Sequence, residues 1–468
     1  MAKKTKDSNL SIEERLEQAL IPNWDEPYKL PPNWCWVKLS SISMFERGIT
    51  FPASAKESLR TTTNIPCLRT ANVQESLELD DLLYVDGSYV KDNPNKLVRE
   101  NDIIMSTANS RELVGKTSFV HSLTEEMTFG GFIMAIRSKI DPKYLFYFLR
   151  LQFLNGKFMS NSTQTTNIAN INSATLGETE TPIPPLEEQK RIVVHIETLF
   201  AKLDEAKEKA QEVVDGVETR KAAILHKAFS GELTAKWRVL HNKFYEDWEM
   251  RSIGEIATVK GGKRIPKGMT LTSQNTGHPY IKAGNLKNGT VIDNGIMYVP
   301  DDVLPYIKNY TVNAKDVYIT NVGACIGDCG IVPTKYHGAN LTENAVKITN
   351  CNCDEEYLAL FLSCNMVQQR IKELTASATL GKLSIANIKT IEVILPSYEE
   401  QKEIVKLLDV FIKKEQGAKE YAEAVIEQID TMKKAILARA FRGELGTNDP
   451  SEESAVELLK KVLSGGEN

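Results

Sequence analysis

Two long stretches of the chain carry apolar residues at alternating spacings of four and three positions. The first contains Ile192, Ile196, Leu199, Leu203, Ala206, Ala210, Val213 and Val217, and the second contains Ile404, Leu408, Phe411, Ala418, Ala422, Val425 and Ile429. This is the a/d pattern of a heptad repeat, interrupted only by Glu415, and the positions between are mostly Lys and Glu. No proline occurs inside either stretch. The pattern therefore predicts two helices of ~43 residues, each ~64 Å long.

The similar length of the two stretches favours pairing with each other, although ordinary packing into one core is the alternative. The first stretch ends where a second globular body begins. If the two ends of that body lie close together, the second helix must run back along the first. We therefore predict an antiparallel pair with an approximate two-fold axis. Residues 11–30 and a predicted short helix over 452–463 would then meet and close the arrangement.

The chain also repeats itself at an offset of 212 residues. Glu187-Glu188-Gln189-Lys190 recurs as Glu399-Glu400-Gln401-Lys402, and the exit Ala228-Phe229 with Gly231-Glu232-Leu233 recurs as Ala440-Phe441 with Gly443-Glu444-Leu445. The segment before each helical stretch matches only at scattered anchors, such as Trp34 with Trp248. Strict repetition of the helices and loose repetition of the bodies predicts two bodies with one scaffold and different surfaces.

The bodies combine strand-like and helix-like segments. Short apolar runs at 102–105 and 132–136 are typical of strands, whereas those at 144–149 and 357–362 are typical of a helix near the end of each body. We predict an α+β chain in which two mixed α/β domains are joined and separated by two long antiparallel coiled-coil helices. The predicted segments are an N-terminal extension (1–30), a first domain (31–185), a first helical spacer (186–233), a second domain with its entry linker (234–396), a second helical spacer (397–445) and a C-terminal tail (446–468).

Composition narrows the class of protein. A length of 468 residues with 42% apolar and 25% charged residues is ordinary for a soluble protein of two to four domains. No apolar run of about 18 residues exists, and the basic start lacks the apolar segment of a signal peptide. Seven unevenly spaced cysteines favour a reducing cytoplasm. A net charge of −5 argues against non-specific coating of nucleic acid but not against a local basic surface.

Such a basic surface is predicted in the second body. Residues 256–292 contain no acid, while Gly261, Gly262 and Gly268 would allow a phosphate to approach the backbone. The anchors Arg69 with Asn72 match Lys282 with Asn285, and Arg47 lies in a weaker basic region of the first body. The candidate contacts to a phosphate-bearing ligand such as nucleic acid are Arg47, Arg69, Asn72, Lys260, Lys263, Arg264, Lys267, Lys282, Asn285 and Lys287. The alternatives are a solvated basic loop and, for the two asparagines, caps of turns within the scaffold.

No catalytic motif is complete. Gly115-Lys116-Thr117 resembles the end of a phosphate-binding loop, but Ser110 stands where its first glycine belongs. The chain lacks the Asn-Pro-Pro-aromatic tetrapeptide of amino-methyltransferases. The cysteine pairs Cys325 with Cys329 and Cys351 with Cys353 lack zinc-ligand spacing, so we predict no metal site. A binding role is therefore favoured over catalysis.

The junctions before the helical stretches and the exits after them resemble one protein family. Pro184-Pro185-Leu186-Glu187-Glu188-Gln189, Pro396-Ser397-Tyr398-Glu399-Glu400-Gln401, the two Ala-Phe-x-Gly-Glu-Leu exits and Leu30-Pro31-Pro32-Asn33-Trp34 are similar to motifs of the specificity subunit of type I restriction-modification systems. The resemblance covers residues 11–465, with the motifs in the same order, duplicated and equally spaced.

The resemblance implies a non-catalytic subunit in which each target recognition domain recognises one half of a bipartite, asymmetric DNA site. The coiled coil would set the spacer between the halves and dock two methylation subunits. Motor-nuclease subunits would also join, and the cytoplasmic complex would defend the cell against phage. No cofactor is expected on this chain, whereas S-adenosylmethionine, ATP and Mg²⁺ are expected on the partner subunits. The alternatives are a coiled-coil adaptor that binds proteins and an unrecognised stand-alone DNA methyltransferase or nuclease.

Overall fold

The chain, a computed structural model, divides into two compact units. The structure describes residues 10–160, 163–165, 168–376 and 381–465. The first unit comprises residues 1–209 with 425–468, and the second comprises residues 210–424. The division cuts both predicted helical spacers, so each long helical region contributes to both units.

The helices and strands of the two units follow a similar order, and each unit also has elements of its own. The helices are α1 (Ile12–Ala19), α2 (Leu39–Ile42), α3 (Pro142–Leu154), α4 (Lys157–Ser160), α5 (Ser173–Gly177), α6 (Leu186–Asp215), α7 (Val217–Phe229), α8 (Ala235–Leu240), α9 (Ile253–Ile256), α10 (Leu304–Ile307), α11 (Glu355–Ser363), α12 (Asn365–Ala376), α13 (Ile385–Lys389), α14 (Tyr398–Ala440) and α15 (Ala455–Leu463). The first unit's strands are β1 (Cys35–Lys38), β2 (Ser43–Arg47), β3 (Asn64–Leu68), β4 (Leu83–Asp86), β5 (Ile103–Ser106), β6 (Ala108–Asn109), β7 (Thr117–Phe119), β8 (Thr128–Phe129), β9 (Ile133–Ser138), β10 (Thr163–Thr165), β11 (Ile168–Asn170) and β12 (Glu180–Ile183). Those of the second are β13 (Glu249–Ser252), β14 (Thr258–Gly261), β15 (Pro279–Ile281), β16 (Leu286–Lys287), β17 (Thr290–Val291), β18 (Met297–Tyr298), β19 (Val317–Thr320), β20 (Cys329–Ile331), β21 (Asn340–Leu341), β22 (Ala345–Thr349) and β23 (Glu392–Leu395).

Three of the four sheets described in each unit have a counterpart of the same topology in the other. A four-stranded antiparallel sheet has the order β2-β9-β5-β7 in the first unit and β14-β22-β19-β20 in the second. A three-stranded sheet, β4-β3-β8 or β18-β15-β21, contains one parallel pair in each unit. A two-stranded pair, β1-β12 or β13-β23, leads into the long helix. The prediction of two mixed domains on one scaffold is therefore confirmed.

The repeated Ala-Phe exits are explained by the cores. Phe441 at the end of α14 packs edge-on against Tyr144 of α3, with ring centroids 5.1 Å apart. In the second unit Phe229 at the end of α7 packs in the same manner against Phe361 of α11, at 5.0 Å. Each core thus contains the start of one long helical region and the end of the other. Both helical regions are therefore held at both ends by core residues.

Within each unit the two helical regions run antiparallel. In the first unit Lys207 pairs with Asp430 at 2.9 Å, and Lys433, later in the chain, pairs with the earlier Asp204. In the second unit Arg220 of α7 pairs with Glu415 of α14 at 2.6 Å. The single acid in the heptad pattern therefore has a cationic partner across the helices, which favours one register.

The structure corrects the prediction of an unbroken first helical region. α14 is continuous over 43 residues, as predicted, but the first region breaks at Gly216 into α6 and α7. At this break the Arg220 guanidinium donates to the Val213 carbonyl at 2.8 Å. A Cβ on Gly216 would lie 2.2 Å from the Arg220 guanidinium.

The predicted seam is closed only in part. Six residues of the seam are buried: Ile192, Ile196, Val217, Ile404, Leu408 and Ile429. Leu199 and Leu203 are half-buried, whereas Val213, Phe411 and Val425 are exposed. A helix has 3.6 residues per turn rather than 3.5, so a strict heptad stripe drifts away from a single straight partner.

The predicted contact between the terminal segments is present in the first unit. The Arg15 guanidinium donates to the Leu463 carbonyl at 3.3 Å, so α1 and α15 lie together. The helix predicted over 452–463 begins at Ala455 in the structure. The basic start of the chain, residues 1–9, lies outside the described residues.

Candidate nucleic-acid interface

Three backbone segments lie side by side where the basic residues of the second unit cluster. The Lys263 amide donates to the Leu341 carbonyl at 2.8 Å, and the Thr342 amide donates to the Ile281 carbonyl at 3.0 Å. These bonds place the segment around Lys263 beside residues 341–342. They also place residues 341–342 beside Lys282. Residues that are distant in the chain thus form one surface.

The first unit contains the same arrangement. The Ile49 amide donates to the Phe129 carbonyl at 2.8 Å, and the Gly130 amide donates to the Leu68 carbonyl at 3.0 Å. Arg47 and Arg69 lie next to these bonded residues in the first unit. Gly261 and Lys282 occupy the matching positions in the second unit. The matched anchors in the sequence therefore correspond to a shared backbone framework.

A glycine makes the close approach possible in both units. A Cβ on Gly262 would lie 2.0 Å from the Thr342 carbonyl oxygen, and one on Gly48 would lie 2.2 Å from the Gly130 carbonyl oxygen. A real Cβ cannot approach backbone oxygen this closely, so any other residue would separate the segments.

We expect Gly262→Ala to destabilise the second unit by about 2–4 kcal/mol, since the two backbone segments must move apart. Gly284→Ala is the matched control, because nothing lies within 4 Å of a Cβ there. Urea unfolding followed by circular dichroism would compare the variants with the unchanged protein. Equal stability of the two variants would show that the segments are not in close contact.

Asn72 and Asn285 hold the turns that follow β3 and β15. The Asn72 side chain accepts from the Arg69 amide at 2.7 Å and donates to the carbonyls of Glu78 and Asp81. Asn285 accepts from the Lys282 amide at 3.0 Å and donates to the carbonyl of Asn294 at 2.8 Å. Both side chains are buried, so their amides serve the turn. Asn72 and Asn285 are therefore caps of turns within the scaffold, which was the alternative to DNA contact for these two residues.

The cations beside these turns differ between the units. Arg69 pairs with Asp81 at 2.7 Å and also donates to its carbonyl. Lys282 is exposed and has no acidic partner among the described residues. A free lysine can form an ion pair with a phosphate, whereas Arg69 would first have to leave Asp81.

The other candidate cations of the second unit are also exposed. Lys260, Lys267 and Lys287 have no ion-pair partner in the described part of the chain. Lys263 lies over the ring of Tyr310, with its ammonium 5.5 Å from the ring centroid. Arg264 is held by Glu343 at 2.6 Å. An acid that is 79 positions away in the chain therefore offsets one charge of the basic stretch.

Positive charge in the first unit is more fully paired. Lys96 pairs with Glu46, and Arg60 pairs with Glu125 at 2.8 Å. Arg47 donates to the Gly131 carbonyl at 2.9 Å. Free basic charge is thus more abundant on this surface of the second unit than on the matching surface of the first.

Buried ion pairs lie beneath the surface. In the first unit Asp102 pairs with Arg137 at 3.0 Å, and burial raises the pKa of the Asp102 carboxyl against the opposing effect of Arg137. In the second unit Asp316 pairs with Lys347 at 3.4 Å. Both carboxylates are covered and engaged, so they support the sheet rather than act as catalytic groups.

The Glu-Gln junctions fasten each body to its long helix. The Gln189 side chain accepts from the Asp141 amide at 3.0 Å and donates to the Pro184 carbonyl at 2.9 Å, and Gln401 makes the same pair of bonds with Asp354 and Pro396. Glu188 accepts from the Trp34 indole at 2.8 Å. Its counterpart Glu400 accepts from the Trp248 indole at 3.0 Å. These roles were missed at the level of sequence, although the exact duplication of Glu-Gln marked the positions.

Neither a metal-binding cluster nor a membrane-spanning helix occurs among the described residues. No group of three or more His, Cys, Asp or Glu side chains in the described part of the chain is arranged to hold a metal ion. None of the described helices is long and apolar enough to cross a membrane.

Comparison with known proteins relates this chain to a family of DNA specificity domains. The model of the type I restriction modification DNA specificity domain matches residues 31–214 and again residues 245–428. The specificity subunit of the type I restriction enzyme EcoKI from Escherichia coli K12 is 26% identical over 462 residues, covering 93% of this chain and 96% of the relative. The StySPI specificity subunit from Salmonella potsdam is 25% identical and covers 94% of this chain and 97% of the relative. The crystal structure of the HsdS subunit from Thermoanaerobacter tengcongensis is 19% identical, has a TM-score of 0.59 and covers 90% of this chain and 100% of that one.

Proposed function

This chain belongs to the type I restriction-modification DNA specificity family, and on that premise we propose that it is the DNA-recognition subunit of a restriction-modification complex. The observation that carries the proposal is the double match to one specificity domain within one chain, together with a surface of free lysines on the shared scaffold of the second unit. The subunit recognises DNA and performs no chemistry itself.

Each body recognises one half of a bipartite, asymmetric site. The loose repetition of the two bodies supports this division, because sequence recognition depends on surface side chains whereas the framework stays constant. The helical regions, each anchored in both units, set the number of unspecified base pairs between the halves. Half-sites on one face of a duplex recur every ~34–36 Å, which is within the length of such helices.

The activities of the complex belong to partner subunits. Two methylation subunits dock on the helical regions and transfer a methyl group from S-adenosylmethionine to adenine N6, outside the base stack. Motor-nuclease subunits use ATP and Mg²⁺ to move and cleave DNA. The complex acts in the cytoplasm.

The test is sequence enrichment by the reconstituted complex. The chain, purified with its methylation partner, is incubated with a library of random duplexes, and the bound fraction is sequenced. We expect a motif of two short halves separated by a fixed gap. The same enrichment is repeated after exchange of the second body for that of a relative, and separately after exchange of the first.

Each exchange should change one half of the motif and leave the other intact. The absence of any motif would favour a protein-binding adaptor instead. Methyl transfer by the chain alone, without partner, would revive the stand-alone enzyme.

A further inference from the structure

Two cysteines of the second unit stand on either side of one residue, between β22 and α11. They are Cys351 and Cys353, and all seven cysteines of the chain, which lie in its described part, are free thiols. Their spacing does not fit a zinc site, and neither residue belongs to the basic surface described above. The pair therefore has no role in the functions discussed so far.

The backbone around this pair is held in the same way in both units. The Asn352 amide donates to the Ile256 carbonyl, at the end of α9, at 2.8 Å. In the first unit the Lys139 amide donates to the Ile42 carbonyl, at the end of α2, at 2.8 Å. The two bends are therefore equivalent positions of the shared scaffold.

Different side chains occupy these equivalent bends. Ser138 and Ile140 stand in the first unit where Cys351 and Cys353 stand in the second. The Ser138 hydroxyl donates to the Ile140 carbonyl at 3.0 Å, so the first side chain of this bend lies against the residue two positions later. In the second unit the two thiols interact with each other, and this interaction is the largest influence on the pKa of each. The bend thus brings two sulfur atoms together.

The two thiols differ in their access to solvent. Cys353 is 5% exposed and belongs to the core of the second unit, whereas Cys351 is half-buried at the edge of that core. Both line a groove of about 790 Å³, together with Asn352 and Ser397. A small molecule in this groove therefore meets Cys351 first.

The interaction between the thiols also decides which sulfur is the better nucleophile. It lowers the pKa of Cys351 and raises the pKa of Cys353, although burial and the carboxylates of Glu355 and Asp316 oppose the lowering at Cys351. Because the thiolate is the form that attacks a disulfide, Cys351 reacts first. Once Cys351 is bonded to another sulfur, it no longer carries the charge that opposes ionisation of Cys353, and Cys353 can react in turn.

We propose that Cys351 and Cys353 are a redox site, oxidised to an intramolecular disulfide by exchange with a small-molecule disulfide such as oxidised glutathione. The Cys351 thiolate attacks one sulfur of the small molecule, and the other half leaves as a thiolate that takes up the proton lost by Cys351. The Cys353 sulfur then attacks the Cys351 sulfur, and the second half leaves as a thiol with the proton of Cys353. The protein loses a pair of hydrogens, and the small disulfide is reduced to two thiols.

The site adjoins the junction that fastens the second body to α14. The Asp354 amide, directly after Cys353, donates to the Gln401 side chain at 2.8 Å. The Asp354 side chain accepts from the Tyr357 amide at 3.0 Å, at the start of α11. A disulfide brings the two sulfurs to bonding distance and closes a short ring through the backbone of residues 351–353, so the bend has to shift. Oxidation thereby weakens the bond between Asp354 and Gln401 and loosens the body from its helix.

Oxidation of the purified full-length chain tests the chemistry without DNA. The reduced chain is incubated with oxidised glutathione, the remaining thiols are alkylated, and the peptides are sequenced by mass spectrometry. We expect a disulfide between Cys351 and Cys353 that dithiothreitol reverses. The control Cys325→Ser removes an exposed thiol of the same unit and should form this disulfide equally well.

Two single variants separate the roles of the two thiols. In Cys353→Ala the exchange stops after the first step, so glutathione should accumulate on Cys351. Cys351→Ser introduces the side chain that the first unit has at Ser138. In that variant Cys353 should take up glutathione at least tenfold more slowly than Cys351 does in Cys353→Ala. Circular dichroism checks that each variant is folded.

Hydrogen exchange followed by mass spectrometry measures the effect on the junction. We expect the amides of residues 354–358 to exchange at least tenfold faster in the oxidised chain than in the reduced chain. Residues 141–145 of the first unit are the matched control, because Ser138 and Ile140 cannot form a disulfide. Their exchange should be the same in both states.

Three outcomes would overturn the proposal. If Cys351 and Cys353 stayed reduced under conditions that modify Cys325, the pair would not be a redox site. Equal rates of glutathione uptake in the two single variants would contradict the order of attack. Unchanged exchange of residues 354–358 in the oxidised chain would show that the disulfide leaves the junction intact.

Discussion

Removing three free lysines from the second unit should weaken DNA binding by on the order of 100-fold at physiological salt. The variant Lys260→Gln, Lys263→Gln, Lys282→Gln removes three positive charges from adjacent segments of one surface. These side chains are exposed and are not held by acids of the described chain, so their charge is free to contact phosphate. The plot of log affinity against log salt has a negative slope, and loss of each phosphate contact should make this slope shallower by about one.

The measurement is a salt titration of DNA binding by the chain with its methylation partner. The control is Lys227→Gln, Lys372→Gln, Lys389→Gln, which removes the same charge from exposed positions on three helices. We expect the control to keep nearly the full slope. If both triple variants lost affinity and slope equally, the attraction would come from net charge, and the proposed surface would be wrong.

Removing the cation beside Glu400 should destabilise the second unit by about 3–5 kcal/mol. Glu400 accepts from the Arg238 guanidinium at 2.6 Å and from the Thr234 hydroxyl at 2.6 Å, and both members of the ion pair are nearly covered. Arg238→Met fills a similar volume but leaves the carboxylate with neutral donors only. A buried charge that loses its counter-ion carries the whole cost of its desolvation.

The first unit indicates how pH should affect this variant. Glu188, the counterpart of Glu400, accepts hydrogen bonds from the neutral donors Trp34, Asn448 and Thr447. Burial raises the pKa of the Glu188 carboxyl. In Arg238→Met the carboxylate of Glu400 would likewise be buried among neutral donors only. A raised folded-state pKa favours the protonated form, so the deficit of the variant should be largest at neutral pH. It should shrink as the pH falls towards the unfolded-state pKa of a glutamate.

Urea unfolding at neutral and at mildly acidic pH measures both effects. Lys413→Met is the control, because the pair of Lys413 with Asp409 is exposed and should contribute less than about 1 kcal/mol. Adding Glu400→Gln to Arg238→Met should recover part of the lost stability. A loss below about 1 kcal/mol in Arg238→Met, with no dependence on pH, would contradict the assignment of Glu400 as a buried charge.

Much of the fold was predictable because it depends on local periodicity. The helices that begin at Leu186 and Tyr398 follow from apolar positions at helical spacing, and α3, α11, β5 and β9 follow from short apolar runs. The duplication of Glu-Gln and Ala-Phe predicted two equivalent units, and the structure shows that these residues fasten helix to body in each.

The candidate interface was predictable only in part, because partners distant in the chain decide what each side chain can do. Asn285 and Lys282 belong to the same matched anchor, yet the first is buried within a turn and the second is exposed. Arg264 and Lys267 belong to one basic stretch, yet Glu343 holds only the first. The sequence contains no local pattern that distinguishes these cases.

The sequence by itself determined the two helical regions, the duplicated scaffold and the family, since these depend on spacing along the chain. Tertiary structure decided which charges are free and where the first helical region breaks. The physical reason is that periodicity reflects the geometry of the backbone, whereas the state of a side chain depends on contacts formed only when distant segments meet.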